Sequence, residues 1–511
     1  MQERSWGGGW TLARLAATLP EAQISGDGDV GLESLAVHSA SVRPGALFAC
    51  LPGERRDGHA FAPAAVAAGA AAVLAERILP GLGVPQLLVP DARLALALMA
   101  RAWYGAPDRH LQVLAVTGTN GKTTTCFLLE AAFAAAGRPL GLLGTAGHHL
   151  GSRSLGPSLT TPEPLELHAL LAEIAASGKT GVALEASSHA LSQQRLAGVG
   201  VDTAIFTNLT RDHLDYHGSP MAYLAAKRRL FAARPYPKPH PALAIVPHDS
   251  AAGRLVAETA RPRRQVVTFG WSRGADVVGS VRRDARGRQW LRLDGVWGRG
   301  ELRLPLPGRH NAANALGVLA ACLANGLPVE AVRAGWEQLG GVPGRFESVP
   351  APDGLRVVVD FAHNPAGLRA ALLTAREQCR GRVRLVFGCK GEDEDEAKRF
   401  RMGLVAARLA DEVYVTSDDP YGEEPESTAT AALRALASLG AHARWLPDRR
   451  EAIARAILEA ARGDLILVAG RGHETMQHTR QGDVPLDDRE ICRQAVARWV
   501  DTGAVVGAAL P

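Results

Sequence analysis

Beyond the glycine-rich stretch at 339–344, the chain is written as an alternation. Apolar runs at 355–360, 382–388, 412–416, 442–446 and 464–469 are separated by amphipathic stretches at 366–379, 398–410, 427–439 and 449–461. Short apolar runs between helical periods predict parallel strands joined by crossover helices, a doubly wound α/β unit. The stretch from 111 to about 340 repeats the theme and predicts a second parallel sheet, its first strand over 111–116. Inside it, 274–306 reads as antiparallel hairpins. Residues 1–108 alternate short strands with alanine-rich helices. Breaks at 104–108 and at 339–344 divide the chain into expected units 1–108, 109–342 and 343–511.

The strand at 111–116 runs into AVTGTNGKTTT (115–125), and a helix is expected from Lys122 to a C-cap at Gly137. Strand, glycine turn and helix N-terminus together make an anion site. Backbone N–H groups point inward, the helix dipole favours negative charge, and glycine permits close approach. Lys122 would reach the outer phosphates of a nucleoside triphosphate, and the Thr123 hydroxyl would sit on Mg²⁺. A generic P-loop asks for a glycine at position 116, where Val116 stands, so this is a shorter loop, GTNGKTT. The bland alternative is a glycine turn capping an ordinary helix.

Other polar clusters fall where strands end, the place ligands bind in such sheets. VALEASSHALSQQR (182–195) runs into Glu185, Ser187, Ser188 and His189; AIFTNLTRDHLDYHG (204–218) runs into Asn208, Asp212, His213 and Asp215. A carboxylate and a histidine there can hold Mg²⁺ on phosphate oxygens. DFAHNPAGL (360–368), SDDPYGEEP (417–425) and GRGHET (470–475) follow strands of the third unit, which places a site between the second and third units. Lys227, on the helical stretch MAYLAAKRRLF (221–231), reads by itself as a surface lysine.

Bulk properties narrow this only a little. At 511 residues, 47% hydrophobic and 21% charged, the chain is an ordinary globular protein of about three domains. A net charge of +5, scattered and mostly arginine, permits an anionic ligand without requiring nucleic acid. Six cysteines without CxxC spacing argue for a reducing cytoplasm and against structural zinc. The N-terminus MQERSWGGGW has no apolar core and is not a signal peptide; the longest apolar run, 60–75, is too short to span a bilayer.

Taken together, TGTNGKTT, TTPE (160–163), LEASSHALSQQR, FTNLTRDHLDYHG, YLAAKRRLF, GRHNAANALG (308–317), GRFE (344–347), DFAHNPAGL and GRGHET resemble the Mur ligases, in family order over nearly the whole chain. Within them the resemblance is to the branch that makes UDP-MurNAc-tripeptide. HSASVRPGALFACLPGERRDGHAF (38–61) resembles the family's uridine-binding segment, with Ser39 kept and His38 and Ala40 in place of its Asp and Arg. The resemblance implies a three-domain α/β architecture: a UDP-MurNAc-binding unit, a central P-loop unit that binds ATP, and a C-terminal Rossmann-like unit that binds the amino acid. It implies an ATP-dependent ligase that phosphorylates UDP-MurNAc-L-Ala-D-Glu and joins an amino acid to it, meso-diaminopimelate by family default. Such an enzyme serves peptidoglycan synthesis and hence cell shape and division. A cytoplasmic monomer with small-molecule substrates, no nucleic acid and no membrane span is expected.

By the same resemblance Gly118, Thr119, Asn120, Gly121, Lys122, Thr123 and Thr124, with Asn311, Arg345 and Asp360, would hold ATP. Thr123, Glu185, His213 and Lys227, the last as a carbamate, would hold Mg²⁺; Lys122, Glu185, His213 and Lys227 are the expected catalytic set. Ser39, Thr160, Thr161, Ser187, Gln193 and Arg195 would contact the muramoyl dipeptide. Asp418, Asp419, Pro420, Tyr421, Gly470 and Glu474 would meet the amino acid. Here the chain departs from the family it resembles. Tyr421 stands where diaminopimelate enzymes carry the arginine of DNPR, and Asp393 where they carry that of GDRD. An acidic pocket favours an extra amine, as in lysine or ornithine, unless Lys390, Lys398, Arg399 or Arg471 receives the carboxylate. HNP (363–365) is closer to folylpolyglutamate and cyanophycin synthetases, which keeps such a ligase as an alternative. A non-catalytic ATP- or nucleic-acid-binding protein is the reading from a different class, and it has no use for Lys227, His213 and Glu185 together.

Overall fold

A computed structural model of the chain describes residues 9–53, 56–156, 159–232, 242–285, 287–295, 297–391 and 395–501. The first eight residues, and with them most of the N-terminal reading, lie outside the described residues, as does Asp393.

Three main sheets carry the chain. The first has five strands in the order Gln23–Ser25, Gln86–Leu88, Ala70–Ala75, Ala46–Ala49, Ser34–Ala36. The apolar run at 60–75 is broken into a short helix, Ala62–Ala67, and the strand Ala70–Ala75. No described helix is long and apolar enough to cross a membrane.

The second sheet has eleven strands, with Gln112–Thr117 between Gly181–Glu185 and Thr203–Phe206. All three are parallel and buried on both faces, which is why they read as continuous apolar runs. The expected hairpins form as strands Val277–Arg283, Gln289–Gly295 and Gly298–Arg303, but they extend the parallel sheet through the pairing of Phe269 with Val277. The loop helix, Lys122–Ala135, ends before Gly137, which takes the left-handed φ of 72°. Behind it packs Val329–Gln338, whose Trp336 indole donates to Leu128 O at 3.2 Å. A Cβ on Gly335 would lie 2.3 Å from Ala131 O and 2.9 Å from Ala132 Cα, both backbone atoms that cannot turn aside. Gly335→Ala is therefore expected to destabilise the central unit by about 1–3 kcal/mol. A thermal melt of the variant that matches the parent contradicts this close contact.

The third sheet runs Glu347–Val349, Arg356–Asp360, Leu465–Ala469, Val383–Phe387, Glu412–Val415, Ala443–Trp445. Helices Pro365–Gln378, Glu396–Leu409 and Pro425–Ser438 cover one face; Arg449–Leu458 and Asp488–Asp501 cover the other. The doubly wound pattern read from the alternation is present, with boundaries displaced by up to three residues, the most at the helix expected over 449–461, which ends at Leu458.

Candidate active site

The loop after Thr117 is shaped by its neighbours as much as by its glycines. Gly118 and Gly121 have φ of 151° and 89°, and a Cβ on Gly121 would lie 2.3 Å from the Asn314 side chain. Thr119 N donates to Asn208 O at 2.9 Å, Asn120 N to Asn208 Oδ1 at 3.1 Å, and the Thr207 hydroxyl to Asn120 O at 2.7 Å. The following helix begins without a side-chain cap, leaving its first N–H groups and dipole facing the cleft. Thr123 and Thr124 are buried in its first turn. Lys122 Nζ lies 3.0 Å from Thr119 O and 3.2 Å from Gly118 O, and Arg345 reaches across from the third unit to donate to the Thr123 hydroxyl at 2.8 Å. An uncapped helix start, a lysine and an arginine, with no carboxylate among the described residues bonded to either, suit the phosphates of a nucleotide. Asn311 starts the adjacent helix, its amide donating to Pro307 O at 2.8 Å, and Asn314 bonds to it at 3.4 Å. Asp360 accepts from Phe346 N at 2.7 Å, and burial raises its pKa to about 6.

Glu185 ends its strand in register with Val116, one residue before the end of the loop strand. It is fully buried, and among the described residues its carboxylate accepts from Thr145 alone, at 2.9 Å from N and 3.1 Å from the hydroxyl. A buried carboxylate whose donors are neutral suits a divalent cation. His213 has a left-handed φ of 51°, and burial, with His189, Lys398 and Lys122 nearby, lowers its pKa to about 3. The ring is a neutral imidazole, the form in which histidine binds metals. Next to it Asp212 is buried, receives Asn364 Nδ2 at 2.9 Å and lies 3.2 Å from Lys398 Nζ.

Lys227 corrects the surface reading. Its side chain is 1% exposed, Nζ donates to Gly118 O at 2.8 Å and lies 4.2 Å from the centre of the Tyr223 ring. Burial, and then the charge of Lys122, pushes its pKa well below the usual lysine range. Among the described residues no carboxylate is bonded to it, and the charge of Asp212 opposes the shift only in part, which favours the neutral amine.

On the near side, Thr161 is buried, donates to Glu185 O at 2.7 Å and accepts from Ser187 N at 3.0 Å. Thr160 lies 3.1 Å from the Thr145 hydroxyl. Arg195 is bonded to Gln193 Oε1 at 2.6 Å and to Thr161 O at 2.9 Å, so these residues form one connected patch beside Glu185. Ser39 stands apart, at the start of the turn Ser39–Ser41 in the first unit.

Across the cleft, Asp418 and Asp419 are both 1% exposed and, with Glu474, place carboxylate oxygens within 4.8 Å of one another. Gly470, with φ of 117°, lies against Asp418. Pro420 brings the chain to Tyr421, stacked on His478 with ring centres 5.4 Å apart. Each of the four cations that could receive a carboxylate here already faces one: Arg471 meets Asp419, Arg399 meets Glu423 at 2.8 Å, Lys398 meets Asp212, and Lys390 meets two. Lys390 lies 3.1 Å from Asp419 and 3.2 Å from Glu474, and although burial opposes its charge these carboxylates hold its pKa above the usual range. Burial raises the pKa of Glu474.

Several residues here went unremarked in the sequence. Thr145 follows a strand end, the same signal that marks Glu185, but lies in a stretch of small residues. His473 Nε2 donates to Thr145 O at 2.8 Å and Asn364 Nδ2 to Asn120 Oδ1 at 3.0 Å; both lie inside motifs singled out above, without a role.

Comparisons with known proteins agree with this geometry. Residues 32–104 match the Mur ligase family catalytic domain, 116–322 the Mur ligase middle domain, and 344–472 the Mur ligase glutamate ligase domain. The chain is 40% identical over 489 residues to the UDP-N-acetylmuramoyl-L-alanyl-D-glutamate--2,6-diaminopimelate ligase of Geobacillus kaustophilus, covering 95% of this chain and 99% of that one. It is 41% identical to the enzyme of the same name from Gloeobacter violaceus, covering 92% and 95%. A solved structure of a ligase with that name is similar at a TM-score of 0.66 and 30% identity, covering 96% and 99%. A MurF ligase of Thermotoga maritima solved in complex with ADP shares the fold, at a TM-score of 0.58 and 19% identity, over 93% and 98% of the two chains.

Proposed function

The chain belongs to the Mur ligase family, and from that premise we propose that it is the ATP-dependent ligase that extends UDP-MurNAc-L-Ala-D-Glu by one amino acid, with meso-diaminopimelate as first acceptor. The observation that carries the reading is the pairing of two half-sites across one cleft. The phosphate loop, Glu185, His213 and Lys227 lie on one wall, and Asp418, Asp419, Lys390 and Glu474 on the other.

A carboxylate is a poor electrophile. Transfer of the γ-phosphoryl group to a carboxylate oxygen, with ADP leaving, gives its carbon a leaving group. The unprotonated amine then attacks that carbon, the carbon–oxygen bond to phosphate breaks, and an amide remains. Lys122, the uncapped helix start and Arg345 hold the phosphates; Asn311 and Asp360 hold the nucleoside end. Magnesium supplies charge neutralisation on phosphate oxygens, and Thr123, Glu185, His213 and a carbamate of Lys227 would hold it. Thr160, Thr161, Ser187, Gln193 and Arg195 orient the dipeptide beside Glu185, and Ser39 contacts the uridine end. Residues 1–108, 109–342 and 343–511 thus act as nucleotide-sugar, ATP and amino-acid units of a cytoplasmic monomer.

The test is phosphate release that requires ATP, UDP-MurNAc-dipeptide and an amino acid together. Release with folate or another acceptor in place of the dipeptide sinks the reading in favour of the folylpolyglutamate type.

One observation favours a second acceptor. The pocket holds three carboxylates, and at 421 a phenol stacked on His478 rather than a cation. Lysine or ornithine, with a distal ammonium alone, then compete with diaminopimelate. A charge-assisted hydrogen bond contributes about 1.5–3 kcal/mol, so Tyr421→Arg is expected to raise kcat/KM for diaminopimelate over lysine by about tenfold or more. A wild type that prefers diaminopimelate about a hundredfold, with no gain in Tyr421→Arg, removes lysine and ornithine and leaves the distal carboxylate to one of Lys390, Lys398, Arg399 and Arg471.

A further inference from the structure

Arg449 opens the helix Arg449–Leu458 with a side chain that is 1% exposed, and its partner Asp488, at the start of the last helix, is 0% exposed. The two form a fork-to-fork pair, Nε to Oδ1 at 2.8 Å and Nη2 to Oδ2 at 2.7 Å. The remaining donors do something else. Nη2 also donates to Ala469 O at 3.0 Å and Nη1 to Ser417 O at 3.3 Å.

These carbonyls stand at the carboxyl ends of two strands that are not neighbours: Val383–Phe387 lies between Leu465–Ala469 and Glu412–Val415. Beyond Val415 and Ala469 the pairing with Val383–Phe387 has ended, and farther out the two loops meet through Arg471 on Asp419, Gln477 on Asp418 O, His478 N on Asp419 and Tyr421 N on His478 O, so at their roots Arg449 is the link between them that the described residues supply. The next residues are Asp418 and Asp419 on one side, Gly470, Arg471 and Glu474 on the other. Their fit is close: a Cβ on Gly470 would lie 2.4 Å from Asp418 Oδ2. A buried ion pair is a weak source of stability, because desolvation cancels most of its attraction, whereas a planar guanidinium fixes direction well.

We propose that Arg449, held by Asp488, is a positioning residue for the amino-acid half-site, fastening the 417–419 and 469–474 loops in register through Ser417 O and Ala469 O. It touches no substrate. The proposal rests on the reading that these loops receive the amino acid.

The experiment is steady-state ligation with the preferred amino acid, comparing wild type, Arg449→Lys and Asp488→Asn. Asp464→Asn serves as control: Arg384 Nε donates to Asp464 Oδ2 at 3.0 Å, a buried pair near the amino ends of the same sheet's strands. Arg449→Lys keeps the charge but loses the fork. Its acceptor KM is expected to rise about 10- to 100-fold, with the KM for ATP changed less than about twofold. Asp488→Asn, which keeps the shape of the side chain, should shift acceptor KM in the same direction. Asp464→Asn should lower the melting temperature while leaving acceptor KM alone. The clamp is overturned if acceptor and ATP KM rise together, if the control raises acceptor KM as much, or if neither variant moves it. Should Arg449→Lys fail to fold, Asp488→Asn against the control decides by the same criteria. Wild-type ligation is measured first: its absence overturns the functional reading and the clamp with it, whereas a ligating wild type with unmoved variants overturns the clamp alone.

Discussion

Lys227→Ala is expected to lose nearly all ATP-dependent ligation while remaining folded. The lysine is buried against the phosphate loop, and its pKa is lowered first by burial and then by Lys122. A lowered pKa raises the unprotonated fraction near neutrality, and an unprotonated amine can add to CO₂. On the proposed function, the resulting carbamate would supply an anion to help hold a cation on the phosphates; the amine from which it would form lies 2.8 Å from Gly118 O. Alanine leaves neither amine nor anion. Ligation by the variant should recover in part when formate or acetate is added, because a small carboxylate can enter the vacated space. A variant that keeps near-normal turnover removes the carbamate role. One that is inactive, and that no carboxylate rescues, makes the lysine a support for the Gly118 carbonyl only.

Lys122→Ala is expected to cost about 2.7–4 kcal/mol of transition-state stabilisation, measured as loss of kcat/KM for ATP. On the proposed function, the charge it removes faces the phosphates as they transfer. Folding should be little affected, since Asn208, Thr207 and the two glycines set the loop backbone independently of the lysine. An unaltered ligation rate would eliminate the phosphate cradle; a collapsed melting curve would make Lys122 structural.

The alternation beyond 344 was legible because the inner strands, Val383–Phe387 and Leu465–Ala469 above all, are buried on both faces and the helices on one, and those two states leave different periods in the residues. The loop was legible because only glycine tolerates the φ of Gly121 facing Asn314. Lys227 was not. Its helix, Pro220–Ala232, carries Lys227, Arg228 and Arg229 in a row, and what separates the first is a carbonyl 109 residues away in the chain. The charges of the acceptor pocket were visible, but their pairing was not. Arg471, Arg399 and Lys398 all looked able to receive a substrate carboxylate until each was found facing a carboxylate of its own. The eleven-stranded sheet escaped notice for a similar reason: the pairing of Phe269 with Val277 lies in backbone hydrogen bonds, which leave no composition signal.

The contacts joining the two halves of the cleft include the hydrogen bonds of Arg345 to Thr123, Asn364 to Asn120 and Asp212, and His473 to Thr145, and the ion pairs of Lys398 with Asp212 and Arg211 with Asp395. Water can replace the hydrogen bonds and rehydrate the charges, so parting the halves costs less than unpacking an apolar seam. The consequence concerns time. Such a hinge can open and close within microseconds to milliseconds, often enough to load three substrates and discharge three products through one gap. Turnover should then slow as solvent viscosity is raised, in proportion to the share of the cycle spent waiting for the gap to open.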